Sequence, residues 1–130
     1  VKEARGVAAE PLIELFQRLP MTGWPKWEIG NAINMVATRP DLPTLERLAM
    51  ERSHGRDREG ILAVFVRLFT PHSDQIVIEL LSDPTISHHA AFVAGKRKLA
   101  AALPDLRKLL GSSNKDVVKA ARKAIEKIEK

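Results

Sequence analysis

The chain contains no cysteine, which excludes a disulfide framework, a thiolate metal site and a cysteine nucleophile. No apolar run approaches the roughly 20 residues that cross a bilayer, and the opening VKEARGVAAE lacks the apolar stretch of a signal peptide. No membrane partner is expected, and the expected compartment is the cytoplasm. Metal-ligand spacing is missing as well. His88 and His89 are adjacent, so on a helix they point about 100° apart and cannot clamp one ion together, while His54 and His72 fall between helical patterns. Asp41, Asp57, Asp83, Asp105 and Asp116 stand at expected helix starts, where capping accounts for them, and no catalytic carboxylate pair emerges. No enzyme, metal, cofactor or small-molecule ligand is expected from these residues.

What the chain does have is periodicity. Openings PLIELFQRL from Pro11, PTLERLAME from Pro43, DQIVIELLS from Asp74 and PDLRKLLGS from Pro104 carry anchors Phe16, Leu48, Leu80 and Leu109, spaced 32, 32 and 29 residues apart. Each opening is followed by a second apolar helical pattern. A repeat is therefore a helix pair that cannot bury its own face and leans on its neighbours. With 130 residues, 45% of them hydrophobic and 28% charged, the chain has the size and composition of one globular domain. A first residue of valine, and a first helix with nothing ahead of it, read as a domain taken from a longer chain.

Eight antiparallel helices are predicted. The first spans about Ala8 to Leu19 and is stopped by Pro20 and Gly23; the second starts near Pro25, carries Ile29, Ala32, Ile33 and Val36, and ends at Arg39 and Pro40. Asp41 caps the third, which buries Leu45, Leu48 and Ala49 and breaks at Ser53, His54 and Gly55. The fourth, about Asp57 to Phe69, shows a wide stripe of Ile61, Leu62, Phe65, Val66 and Phe69, with Gly60 as an interruption and Thr70 and Pro71 as its end. Ser73 or Asp74 caps the fifth, with Ile76, Val77, Leu80 and Leu81 inside. The sixth follows a turn at Ser82 to Thr85 and lines up Ile86, Ala90, Val93 and Ala94. The seventh starts at Ala102 to Pro104, presents Leu106, Leu109 and Leu110, and ends at Gly111. The eighth, Asp116 to about Glu129, turns Val118, Ala121, Ala124, Ile125 and Ile128 inward. Leu80 and Leu109 are expected core anchors, and Lys127 is expected to be dispensable for stability.

The segment PDLRKLLGSSNKDVVKAARKAIEKI (Pro104 to Ile128) resembles a HEAT-like repeat of the short bacterial type: a leucine helix, a polar turn, an aspartate, then a helix stepped in alanine. DPTISHHAAFVAGK (Asp83 to Lys96) is similar to the second half of such a repeat, with Ser87 where the family usually places arginine. In the N-terminal repeats Trp24 and Trp27 occupy a start that usually reads Asp-x-x-Val-Arg. Tetratricopeptide and ankyrin signatures are missing. The resemblance implies an all-α, right-handed α-solenoid of about four hairpins, a non-catalytic scaffold whose concave or edge surface docks a protein partner. Family geometry would place Glu14, Gln17, Arg18, Glu46, Arg47, Glu79, Arg107 and Lys108 on that surface. Iron-binding HEAT-like hydroxylases use His-Glu pairs, which this chain lacks. HEAT-like alkylpurine DNA glycosylases use tryptophans and an aspartate on a basic face, which makes Trp24 and Trp27 the basis of a remote enzymatic alternative.

Charge is concentrated at one end. Residues 1–95 hold 10 basic and 12 acidic side chains, whereas residues 96–130 hold 11 basic and 4 acidic, so the net +5 comes from the last third. Lys96, Arg97, Lys98, Lys119, Arg122 and Lys123 are candidate phosphate-binding residues for a nucleic-acid backbone. The competing reading is a terminal repeat kept soluble by lysine, since no stacking aromatic falls within 96–130.

Overall fold

The computed structural model describes residues 9–20 and 24–130, without the side chain of Trp24. The expected start at Ala8, the stop at Gly23 and the role of the Trp24 indole lie outside the described residues. Those residues form helices and no strand. The chain divides into two compact units, Val1–Phe69 and Thr70–Lys130.

The first unit contains α1 (Glu10–Arg18), α2 (Trp24–Val36), α3 (Leu42–Met50) and α4 (Glu59–Arg67), with 3-10 turns at Arg39–Asp41 and Arg52–Arg58. A proline sits in the first turn of α1 and again of α3, where its missing N–H has no helical acceptor to lose. Ile13 and Phe16 bury one face of α1; Leu42, Leu45, Leu48 and Ala49 bury one face of α3. α2 packs on α1 and on α4. Where α2 meets α4, a Cβ added to Gly60 would stand 2.3 Å from the Gly30 carbonyl carbon, so the two backbones touch. Gly60 therefore does not interrupt the fourth helix; it lets that helix dock. α2 buries Ile33 fully, while Ile29, Ala32 and Val36 are only partly covered.

The expected break at Ser53, His54 and Gly55 falls within 3-10 turns over Arg52–Arg58 that kink at Gly55, where a non-helical φ of 52° suits glycine. Helix α4 consequently begins at Glu59 rather than Asp57, and it ends at Arg67 with Leu68 extended. Its inner face is Ile61, Leu62, Val64 and Phe65. Val66 is half-buried, and Phe69, carried past the helix end, is 37% exposed.

The second unit contains α5 (Pro71–Leu80), α6 (Ser87–Lys96), α7 (Leu103–Leu109) and α8 (Lys115–Glu129), with a 3-10 turn at Ala100–Ala102. Thr70 and Pro71, read as the end of one helix, open the next. Thr70 Oγ1 accepts from Ser73 N at 3.0 Å, and Ser73 Oγ accepts from Thr70 N at 2.8 Å, a reciprocal cap with Pro71 in the first turn. Asn114 caps α8 by accepting from the backbone N–H of Asp116 at 2.9 Å and of Val117 at 3.3 Å. α6 packs on α5 and α8, and α8 on α7. The α6–α8 contact again runs through a glycine: a Cβ on Gly95 would lie 2.9 Å from Ala124 Cα.

Two expected faces shift here. α7 spans only Leu103–Leu109, two turns, so one leucine reaches the core: Leu106 is buried, Leu109 is half-buried and Leu110 is 41% exposed. On α8 the inward stripe is Val117, Ala121 and Ala124 at spacings of four and three. Val118, Ile125 and Ile128 flank it at partial burial. Leu80 and Ile86 are buried as expected. No helix among the described residues is long and apolar enough to cross a membrane.

Candidate functional site

Two groupings of polar side chains stand out, one in each unit, and they differ in access to solvent. In the first unit Lys26, in the first turn of α2, is 1% exposed. Its Nζ donates to Leu19 O at 2.8 Å and to His54 Nδ1 at 2.7 Å, and lies 4.8 Å from the centre of the Phe16 ring. An ammonium only donates, so His54 carries its proton on Nε2, which faces Glu51 Oε1 at 2.8 Å. Burial holds the Lys26 amine below its usual 10.5, an effect the charges of Asp57 and Glu51 partly oppose. Burial pushes the Glu51 carboxyl upward, but hydrogen bonds and charge from His54 and Arg47 outweigh it and leave the group below its ordinary 4.5.

The same unit buries Arg58 completely, with Nε donating to Gly55 O and Nη1 to Ala49 O, each at 2.8 Å. Glu59, 5% exposed, accepts from Trp27 Nε1 at 2.7 Å and from Arg56 Nε at 3.1 Å. These side chains tie helix ends and the 3-10 run together. Lys26 is too deeply enclosed to meet a substrate, so its lowered basicity reflects burial in a fastening rather than a nucleophile. Trp27 is likewise held by its indole N–H. Sequence reading missed the cluster because Lys26 and Arg58 look like surface charges, and Asp57 like a helix cap, until the chain is folded.

The surface residues inferred from family geometry are scattered in state. Glu46 is buried, 8% exposed, and leaves the expected docking surface. It stands on α3 between Leu45 and Leu48 on the face turned to the core. Arg47 is exposed but paired with Glu51 at 2.6 Å, Arg107 with Glu129 at 2.7 Å, and Lys108 stands 3.9 Å from Asp105. Glu79 on α5 is exposed, as are Glu14, Gln17 and Arg18 on α1.

Among the phosphate candidates, Arg97 is committed elsewhere. Its guanidinium bridges both carboxylate oxygens of Asp74, at 3.2 and 3.3 Å, with 14% of its side chain exposed, and so fastens the end of α6 to the start of α5. Lys98 is exposed where the chain leaves α6 with a φ of 50°, and Leu99 N closes that end onto Ala94 O at 3.0 Å. Lys96, Lys119, Arg122 and Lys123 are all exposed. Along α8, Lys115, Lys119, Lys123 and Lys127 recur every four residues and are all exposed, forming one ridge; among the described residues none of them, nor Arg122, is in a salt bridge. A shallow concavity at the helix end is lined by both signs, Lys123, Lys127 and Lys130 with Glu126 and Glu129.

Beside this ridge lies an aromatic ring. Phe92 on α6 is 49% exposed, with Lys96 Nζ 5.6 Å and Lys127 Nζ 5.8 Å from its centre. Position 92 precedes the basic stretch in sequence, which hid the pairing; the cue was an aromatic four residues ahead of Lys96 on one helix. His88 and His89, one turn earlier, meet edge to face with ring centres 4.4 Å apart. In comparisons with known proteins, no family model matches the chain, and no curated protein or solved structure matches it.

Proposed function

We propose that the chain is a non-catalytic binding module built from HEAT-like hairpins in a right-handed α-solenoid, and that its C-terminal unit docks the phosphate backbone of a nucleic acid. The observation that carries this reading is the lysine ridge of α8, four exposed ammonium groups and Arg122 without salt-bridge partners among the described residues. Like charges at four-residue spacing oppose helix formation by about 0.2–0.5 kcal/mol per pair. The helix dipole excuses cations only in the last turn; Lys115 stands at the first, where it is unfavourable. A polyanion relieves both costs, and solubility alone does not require the ridge.

Fluorescence anisotropy with a short labelled oligonucleotide tests the reading. Three phosphate contacts predict that affinity falls roughly 20- to 40-fold between about 50 and 200 mM salt. Reversing Lys119, Arg122 and Lys123 together to glutamate should abolish most of the binding and flatten the salt slope by about one for each phosphate no longer held. An unchanged slope in that variant would end the phosphate reading.

A protein partner is the second reading, favoured by apolar side chains left in solvent: Met35 on α2 is 73% exposed and Met50 at the end of α3 is 41% exposed. Glu79 and the paired Arg47, Arg107 and Lys108 would then supply polar contacts.

A further inference from the structure

We infer that Phe92 is a stacking platform and that the α6–α8 face selects single-stranded over double-stranded nucleic acid. The inference rests on the phosphate-backbone reading above and goes beyond it in naming the ligand's form. Backbone contacts alone do not distinguish one strand from two; a flat aromatic face does, because only an unpaired base offers its own face to it.

The geometry is specific to this face. α6 turns Ala90, Ala91, Val93, Ala94 and Gly95 into the unit and leaves Phe92 outward, with 49% of it exposed. Gly95, three residues on, lies against Ala124 of α8 so tightly that an added Cβ would approach Ala124 Cα to 2.9 Å, so α6 cannot slide or roll without breaking that contact. The ring is therefore presented from a rigid element. Lys96 and Lys127 bring their ammonium groups to 5.6 and 5.8 Å from the ring centre, one from each helix. Both ammonium groups lie over the ring, so a base that stacks there takes their place and moves these flexible side chains aside toward its phosphates, with Lys123 one turn back along the ridge from Lys127 to take the next. Charge decides the class of occupant and the ring decides its form. An acidic protein segment answers the first requirement but gains nothing from the second.

The full chain is titrated by anisotropy into labelled oligothymidylate, a duplex of equal length and polyglutamate, at about 50 and 200 mM salt. Wild type should bind the single strand most tightly. Phe92→Ala should weaken single-strand binding about 5- to 150-fold, the loss of one stacked base, and leave duplex binding unchanged. Phe92→Trp should keep or strengthen single-strand binding, which a merely structural role for the ring would not do. The position is exposed, and helical circular dichroism should match wild type in both variants. If Phe92→Ala binds the single strand as wild type does while the Lys119, Arg122 and Lys123 reversal abolishes binding, stacking is wrong and the phosphate reading stands. If neither nucleic acid binds at the lower salt, or polyglutamate binds as tightly as oligothymidylate, both fall.

Discussion

Lys26 and Glu51 are linked through His54, and each makes stability depend on pH in a direction that can be worked out. For Glu51 the folded-state value lies below its ordinary 4.5, so its contribution is fully present above that value and is lost as pH falls through the lower, folded one. For Lys26 the folded-state value lies below 10.5, so the unfolded chain binds more protons in the window between the two, and stability rises with pH across it. Urea midpoints measured from acid to alkaline pH should therefore fall below about pH 4.5 and climb toward pH 10. In Lys26→Met the alkaline climb should disappear while the acid loss remains.

A second test at the same scale separates neighbouring leucines. Leu106→Ala removes a fully buried side chain and should cost about 2–5 kcal/mol, whereas Leu109→Ala, at a half-buried site, should cost clearly less. Lys127→Ala should be near neutral for folding. Equal losses at Leu106 and Leu109 in urea unfolding would contradict the assignment of the α7 face. Leu109 looked like an anchor because it keeps the repeat spacing, but in a helix of two turns only the residue facing α8 is covered.

At the scale of elements, the helix pairs were legible and their joints were not. Periodic apolar residues bounded by proline and polar turns are enough to place eight helices, since any such segment must bury its stripe. Their ends depended on local bonding invisible in composition. Thr70 and Pro71 belong to the helix that follows because Thr70 and Ser73 cap each other, and α4 starts at Glu59 because the 3-10 run uses residues up to Arg58. Gly60 is the clearest case. On helical propensity it reads as a weak point, yet in the folded unit it is where α4 rests on Gly30 of α2. Gly60→Ala should consequently destabilise by about 1–3 kcal/mol despite alanine's better propensity, because the methyl meets backbone that cannot swing aside. Thermal unfolding of this variant measures it, and stabilisation would show that the helices are free to separate.

At the scale of the whole molecule the governing feature is charge asymmetry. Residues 1–95 carry a small acidic excess and residues 96–130 the entire basic one, so a polyanion should be steered to the C-terminal unit and its binding should fade with salt, as the charge-reversal titration measures. The asymmetry, the helical class and the repeat period are properties of residue order alone, because periodicity of 3.6 and the sum of charges do not depend on which helices touch. Tertiary structure decided which charges remain available. It buried Lys26, Arg58 and Glu46, joined Arg97 to Asp74, and left the α8 ridge open beside Phe92. The physical reason is that desolvation and pairing are set by neighbours brought from other helices, and those neighbours exist only once the backbones meet at Gly30 and Gly60 and at Gly95 and Ala124.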